Sequence, residues 1–285
     1  MILKYLRLVK FSHTIFALPF ALVGYVLGSV EVGFDWLVLF EVLVCMVMAR
    51  SAAMGFNRLV DWRFDARNAR TAMREIPAGV ISPRRAAIFV VFCSVVFVAV
   101  SFAINMLCGV LSPVALVVVL GYSYTKRFTA LCHFVLGLGL AIAPAAAYIA
   151  TTGHLSTTPL WLSVLVWSWV AGFDIIFSLQ DMEFDRSESL HSVPARMGVA
   201  SGLWISALLH LFTALSVVTF GLMVVSNYLY WIGALLFVLL LTYQHLIVTP
   251  RNLSRVGLAF GTTNGVASII FAMFTSLALI LAPTL

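Results

Sequence analysis

Two groups of polar side chains are spaced at helical intervals in this chain, each at the end of an apolar segment. The first contains Asn57, Asp61 and Asp65, and the second contains Asp174, Asp181 and Asp185. At about 100° per residue, the first group spreads over only about 80° of one helix face. In a continuous helix the second group would also lie nearly in line, since its members are about two turns and one turn apart. Each group can therefore point into one cavity.

Carboxylates that face one another in this way are unfavourable unless cations neutralise them. Their oxygen atoms suit Mg²⁺, which keeps several waters and binds through a few carboxylates together with substrate phosphates. Basic residues in the adjoining connections, among them Arg67, Lys126 and Arg127, suit phosphate oxygens. The pattern favours a site for Mg²⁺ and a phosphorylated substrate. The simpler interpretation is that the acids are helix caps or solvated ion pairs and that the basic residues only set topology.

The composition indicates an integral membrane protein. The chain has 285 residues, of which 62% are hydrophobic and 10% are charged, and its mean hydropathy is +1.08. Apolar runs long enough to span a bilayer predict an all-α bundle of nine transmembrane helices. These spans are residues 13–30, 36–56, 86–105, 107–122, 133–151, 159–179, 200–225, 229–248 and 262–283. The two longest polar connections, 57–85 and 180–199, are too short for a second core, so we expect residues 1–285 to form a single domain.

The distribution of basic residues predicts the orientation of the bundle. With these spans, all 17 Lys and Arg residues face one compartment, and the opposite connections carry none. The positive-inside rule therefore predicts that the amino terminus and both acidic groups are cytoplasmic, as in a multi-pass protein of a bacterial inner membrane. The net charge of +6 fits this topology together with contacts to anionic lipids and substrates, and requires no nucleic acid.

The acidic groups also carry a resemblance to a known family. Residues 57–65, Asn-Arg-Leu-Val-Asp-Trp-Arg-Phe-Asp, fit an N-x-x-x-D-x-x-x-D motif, and residues 181–185, Asp-Met-Glu-Phe-Asp, fit D-x-x-x-D. Further similar segments are residues 13–20, 66–71 and 122–127. Over most of its length the chain resembles the UbiA superfamily of intramembrane aromatic prenyltransferases, and in particular its 4-hydroxybenzoate polyprenyltransferase branch. The resemblance implies a bundle of nine helices, in agreement with the spans counted above.

The resemblance also implies a reaction, the Mg²⁺-dependent transfer of a polyprenyl group from its diphosphate to an aromatic acid. Asp61, Asp65, Asp181 and Asp185 would hold Mg²⁺ against the diphosphate. Asn57, Arg67, Tyr124, Lys126 and Arg127 would contact the substrates.

Two titratable residues each have two possible roles. His13 lies at the cytoplasmic start of the first span, where it either binds the acceptor's carboxylate or is structural. Asp174 lies inside a span, where an unpartnered acid is costly, so it is a catalytic candidate that activates the acceptor or supports a metal ligand.

Other functions compete with this interpretation. The aromatic acceptor could be 4-hydroxybenzoate, for ubiquinone, or a naphthoate, for menaquinone, because both would use the same diphosphate machinery. A membrane transporter could also carry intramembrane acids, but it would be expected to place them near the bilayer midplane in broken helices. A CDP-alcohol phosphotransferase would be expected to carry a D-x-x-D-G-x-x-A-R pattern, which is absent from this sequence.

Overall fold

The computed structural model describes residues 2–10, 16–225 and 227–281, and these residues are mainly helical. The helices are α1 (Ile2–Leu8), α2 (Leu18–Val32), α3 (Trp36–Arg67), α4 (Pro83–Ile104), α5 (Met106–Thr125), α6 (Cys132–Thr152), α7 (Thr157–Ser178), α8 (Met182–Ser187), α9 (Val193–Val224), α10 (Tyr228–Ile247), α11 (Val256–Leu258) and α12 (Asn264–Leu281). A 3₁₀ turn, Leu179–Asp181, joins α7 to α8, and a π turn, Ala259–Thr263, joins α11 to α12.

The predicted all-α membrane fold is confirmed. Among the described residues, eight helical segments are long and apolar enough to cross a membrane. α2 is a shorter apolar helix of 15 residues and corresponds to the first predicted span. The start of that prediction, at residues 13–15, lies outside the described residues. Close packing of α2 requires glycine at position 24, because a Cβ there would lie 2.1 Å from the carbonyl oxygen of Pro144 on α6.

Polar caps determine where several helices begin. The predicted break near Asn105 is present, because the Asn105 side chain accepts a hydrogen bond from the amide of Cys108 at 2.8 Å. Its amide nitrogen donates to the carbonyl of Ile149 at 3.0 Å. Ser82, Ser156, Ser192 and Asn227 cap α4, α7, α9 and α10 in the same way. These caps satisfy backbone amides that have no partner inside the helix.

α7 is the central helix of the bundle. Its residues Leu162, Leu165, Val166 and Trp169 are fully buried in the largest apolar cluster. The indole of Trp169 donates to the side-chain oxygen of Asn264 at 3.0 Å. Asn264 in turn donates to the carbonyl of Ala259 at 2.9 Å, one of the groups for which the π turn provides no regular α-helical partner. The centre of the bundle is therefore tied to the π turn at the start of α12.

Two helices differ in length from the predicted spans. α3 has 32 residues and continues through Arg67, whereas the prediction ends at residue 56, because its last turns are polar and escape a hydropathy count. α9 begins at Val193 but has non-helical geometry at Gly198, where φ is 85°. That left-handed backbone favours glycine. It separates a short polar segment from the predicted span at 200–225.

Candidate active site

The first acidic group lies on the cytoplasmic extension of α3. Asn57, Asp61 and Asp65 follow one another at intervals of four residues on this helix, as the spacing predicts. The Asn57 amide donates to Asp61 at 3.2 Å. All three side chains line a cavity of about 270 Å³, which we call the polar cavity.

The second acidic group lies on a broken helix. Asp174 belongs to α7, which ends at Ser178, while Asp181 ends the 3₁₀ turn and Asp185 belongs to α8. The continuous helix assumed for this group is therefore wrong. The 3₁₀ turn is more tightly wound than an α-helix and changes the direction in which later side chains project. All three carboxylates nevertheless line the polar cavity.

Four of these five carboxylates are paired with a basic side chain. The pairs are Asp61 with Arg127 (3.1 Å), Asp65 with Arg74 (2.6 Å) and Asp185 with Lys126 (2.7 Å), and Asp181 with Arg70, whose Nε lies 2.9 Å from the carboxylate. Three of the pairs join segments more than fifty residues apart in sequence. The charge of four of the carboxylates is thus neutralised by arginine and lysine, which also hold the cytoplasmic connections around the cavity.

Of these four pairs, Asp185 with Lys126 has the most buried carboxylate. Asp185 is fully buried and accepts a hydrogen bond from the Ser192 hydroxyl at 2.9 Å. Burial by itself lowers the pKa of Lys126, but the charge of Asp185 outweighs it and raises that pKa above its ordinary value. Lys126 is therefore a permanent cation at the edge of the cavity.

Other polar atoms in the cavity have no partner. In the described part of the chain, the Nε atoms of Arg50 and Arg58 are buried without a hydrogen bond, and so is one carboxylate oxygen of Asp65. All three side chains line the polar cavity. Buried charged groups are costly when unpaired, so these atoms favour an anionic ligand and a cation that would satisfy them.

Lys10 approaches the polar cavity from the amino-terminal segment. Burial, together with the charges of Arg58, Arg74 and Arg70, lowers the pKa of Lys10 to about 8. Its proton is therefore held weakly until an anion enters the cavity.

An apolar chamber continues from the polar cavity into the bundle. It has a volume of about 460 Å³ and is lined mainly by small and aliphatic side chains of α3, α5 and α6. The two spaces share five lining residues, Arg50, Met54, Tyr122, Leu136 and Leu140. Together they form a site for a molecule with a charged head and an apolar tail.

Aromatic rings form one wall of the polar cavity. Phe177 and Phe260 stack with their ring centres 4.0 Å apart, and Phe173 contacts the edge of Phe260 at 5.6 Å. The guanidinium of Arg70 lies over Phe177 at 5.4 Å. A cation is favourable above such faces, and the π turn of Ala259–Thr263 places Phe260 in this wall.

Several predicted residues are not at the cavity. Arg67 is exposed and pairs with Glu188 at 2.9 Å. Tyr124 is 42% exposed and packs against Phe56, whereas Tyr122, rotated by about 200° on the same helix, lines the cavity. Arg67 and Tyr124 thus lie outside the residues that line the polar cavity, and their contact with the substrates stays a prediction. His13 lies outside the described residues.

The structure also adds residues that the sequence reasoning did not assign to the site, namely Lys10, Arg50, Tyr122 and His133. Arg50 and His133 are charged or titratable residues inside apolar spans, and that rarity is itself a signal of function. Tyr122 has no comparable signal, because aromatic residues are common in this chain.

The acidic side chains of the polar cavity are spread over its walls. Among the residues that the structure describes, no three His, Cys, Asp or Glu side chains are grouped so that they could hold a metal ion by themselves. Asp61, Asp65, Asp181 and Asp185 instead stand on two walls of the cavity. A hard cation bound there would take one or two carboxylates and complete its shell with ligand oxygens and water.

Known proteins share both sequence and fold with this chain. Residues 17–277 match the UbiA prenyltransferase family. The 4-hydroxybenzoate octaprenyltransferase of Aliivibrio fischeri (strain MJ11) is 30% identical over 240 residues, which cover 83% of this chain and 82% of the relative. That of Nitrosomonas eutropha is 30% identical over 244 residues, covering 84% and 83%.

Solved structures agree with this match. A UbiA homolog from Aeropyrum pernix K1 in its apo form superposes with a TM-score of 0.79 at 27% identity, covering 94% of this chain and 97% of that one. A UbiA homolog from Archaeoglobus fulgidus, bound to DMAPP and Mg2+, has a TM-score of 0.76 at 20% identity, covering 98% and 99%.

Proposed function

The chain belongs to the UbiA prenyltransferase family, and we propose that it transfers a polyprenyl group from polyprenyl diphosphate to an aromatic acid of the 4-hydroxybenzoate type. The reaction would be a step of respiratory quinone biosynthesis. Family membership decides against the transporter alternative. The basic residues support a site on the cytoplasmic side of the membrane.

One observation carries the proposal, the continuity between the polar cavity and the apolar chamber. A polyprenyl diphosphate combines a charged head with a long apolar tail, and the two spaces match those two parts. The tail can lie among the small side chains of the chamber while the head meets the cations of the cavity. The acceptor then reaches the reacting carbon near the residues that the two spaces share.

The cavity residues fit Mg²⁺. The donors are carboxylate oxygens, and the buried oxygen of Asp65 has no partner in the described structure. Asp61, Asp65, Asp181 and Asp185 would hold the ions together with diphosphate oxygens, as the resemblance implies. When bound, Mg²⁺ supplies positive charge against the oxygens of the leaving group.

The remaining parts of the site act through charge and exclusion of water. Arg70, Arg74, Lys126 and Arg127 can shift from carboxylates toward the diphosphate and stabilise the charge that develops as the allylic C–O bond breaks. The wall of Phe173, Phe177 and Phe260 offers ring faces to the allylic cation. Apolar surroundings protect that cation from hydrolysis.

The acceptor's carboxylate has cationic partners in Arg50 and Arg58. Arg50 lies seven residues before Asn57 on α3, about 10 Å further along the helix, at the junction with the apolar chamber. An aromatic acid bound there has its ring between the two spaces. The names of the relatives favour 4-hydroxybenzoate, and a dihydroxynaphthoate remains the alternative.

An acceptor panel tests this choice. Purified protein would be assayed with one labelled polyprenyl diphosphate and, separately, 4-hydroxybenzoate, 4-hydroxybenzamide and 1,4-dihydroxy-2-naphthoate. We expect prenylated 4-hydroxybenzoate and a much higher KM for the uncharged amide, because the guanidinium groups lose their anionic partner. Preference for the naphthoate would transfer the proposal to menaquinone biosynthesis, and equal use of the amide would exclude carboxylate recognition by Arg50 and Arg58.

The lowered pKa of Lys10 predicts a pH effect. Lys10 is charged below pH 8 and neutral above it, since its pKa is about 8. We therefore expect kcat/KM for the prenyl diphosphate to fall as the pH rises through this value, because kcat/KM reports the free enzyme. The variant Lys10→Arg keeps its charge and should lose this part of the profile. Superimposable profiles for the two proteins would show that Lys10 does not contact the diphosphate.

A further inference from the structure

One carboxylate in the polar cavity differs from the others in its partner. Asp61, Asp65, Asp181 and Asp185 each face an arginine or a lysine. Asp174 instead contacts a histidine, with its Oδ2 atom 2.7 Å from the Nδ1 atom of His133. Four of the five acids thus have their charge offset by a permanent cation, and the fifth depends on the state of an imidazole.

The second ring nitrogen of His133, Nε2, also has a hydrogen-bond partner. The backbone amide of Val193, at the start of α9, donates to Nε2 of His133 at 3.2 Å. An amide hydrogen requires a lone pair on Nε2, so the proton of the ring lies on Nδ1. In this arrangement Nδ1 of His133 donates to Asp174 while Nε2 accepts from Val193, so both ring nitrogens are engaged and the imidazole fixes the direction of the carboxylate.

The surrounding packing holds this pair in one arrangement. His133 is 2% exposed, while the Asp174 side chain keeps 20% exposure and lines the cavity. α6 and α7 approach closely at Gly137, where a Cβ would lie 2.6 Å from the carbonyl oxygen of Trp167. The Trp167 indole donates to the carbonyl of Phe134 at 3.0 Å. These contacts fix the distance between the two helices and therefore the orientation of Asp174.

We propose that Asp174, oriented by His133, is the base that takes the hydroxyl proton of the aromatic acceptor. This inference rests on the proposed function. The O–H bond of the acceptor breaks, its proton moves to Asp174, and the electron pair enters the ring. The ring carbon beside the hydroxyl group forms a bond to the allylic carbon, whose C–O bond breaks with its electrons leaving on the diphosphate.

The remaining steps restore the starting state of the site. The ring proton at the new bond leaves to the released diphosphate, and the ring regains its aromaticity as Asp174 returns a proton to the acceptor oxygen. The four other carboxylates of the polar cavity already contact arginine or lysine, whereas Asp174 lines the cavity with His133 as its partner. His133 touches no substrate in this scheme and acts as a positioning residue.

The test compares acceptors whose hydroxyl groups differ in acidity. Purified Asp174→Asn, which keeps the size of the side chain, would be assayed beside the wild-type protein with 4-hydroxybenzoate and with its ring-fluorinated analogues. We expect kcat with 4-hydroxybenzoate to fall by a factor of about 100 or more. The ratio of variant to wild-type kcat should rise toward one as the hydroxyl becomes more acidic, because an acidic hydroxyl needs less help from a base. Because variant and wild type are compared on the same acceptor, the effect of fluorine on the reactivity of the ring carbon cancels in the ratio.

The role of His133 is tested with two variants. His133→Asn retains an N–H donor where Nδ1 stands and should keep most activity, whereas His133→Leu removes the donor and should lower kcat with the same dependence on acceptor acidity. KM for the prenyl diphosphate should remain unchanged in both. His154→Leu, which changes an exposed histidine bonded to Glu31 away from the polar cavity, is the matched control and should behave as wild type.

Failure of the proposed function and failure of the role of Asp174 give different results in these assays. If the wild-type protein prenylates no hydroxybenzoate, the proposed function is wrong. If it is active but the ratio for Asp174→Asn is the same for every acceptor, Asp174 is not the base. Equal losses in His133→Asn and His133→Leu would remove the positioning role from His133.

Discussion

Replacing Asp61 or Asp181 with asparagine is expected to abolish prenyl transfer while the protein stays folded. The two residues stand on opposite walls of the polar cavity, on α3 and at the end of the 3₁₀ turn. Each substitution keeps the side chain's size but removes a charge that Mg²⁺ and the surrounding cations require. The charge that develops on the diphosphate would lose its stabilisation, and we expect kcat to fall by at least a factor of about 100 for either variant.

Glu183 provides a matched control for these substitutions. It lies between Asp181 and Asp185 in the sequence, but it is exposed and is not among the residues that line the polar cavity. Glu183→Gln should therefore retain wild-type turnover. The measurement is product formation at saturating Mg²⁺ and donor, with thermal unfolding in detergent as the test of folding. Full activity in Asp61→Asn or Asp181→Asn would remove that residue from the metal site.

A second large effect is expected from filling the apolar chamber. Ala53 lines the chamber on α3, near the residues shared with the polar cavity. The substitution Ala53→Trp would place an indole in the path of the prenyl tail. We expect turnover with a long polyprenyl diphosphate to be lost, while dimethylallyl diphosphate, whose five-carbon tail ends before the obstruction, is still used.

The control for this experiment is the same substitution on a surface that faces away from the chamber. Ala99 on α4 is exposed and is not part of the chamber lining, so Ala99→Trp should retain both activities. Turnover would be measured with donors of increasing chain length. Equal loss of short and long donors in Ala53→Trp would contradict a tail in the chamber, because an indole that blocks only the tail should leave the short donor active.

The helical bundle could be predicted from the sequence because the hydropathy that places helices in a bilayer is a property of each local segment. A run of apolar residues must be helical in a bilayer, where every backbone polar group needs an internal partner. The break at Asn105 was predictable for the same reason, since its side chain caps the helix that follows. The cytoplasmic end of α3 was not, because there the helix is held by ion pairs across the polar cavity and hydropathy carries no information on them.

The candidate site was predictable where a residue type is rare. Asp61, Asp65, Asp181 and Asp185 stood out because this chain has only 11 acidic residues. Their partners did not, since the choice of Arg70 for Asp181 depends on how a connection of more than a hundred residues folds back. The direction in which a side chain projects from its helix could not be predicted either. Tyr122 and Tyr124 are two residues apart in one segment, and only the rotation of α5 against its neighbours decides which of them lines the cavity.

The pairing of His133 with Asp174 required the structure for a different reason. The two residues lie 41 positions apart on different helices, and neither belongs to a spaced motif with the other. Their contact depends on the close approach of α6 and α7 at Gly137, which no local pattern encodes. An aspartate inside an apolar span indicates that a partner exists, but only the packed helices identify it.

The central claim is that the polar cavity and the apolar chamber together bind a polyprenyl diphosphate and transfer its prenyl group to an aromatic acid. The most direct test incubates the purified protein with labelled polyprenyl diphosphate and 4-hydroxybenzoate, with Mg²⁺ or with a chelator, and identifies the product by mass spectrometry. We predict a prenylated acid carrying the label only when Mg²⁺ is present. Absence of that product with Mg²⁺, or an undiminished yield with the chelator, would contradict the account.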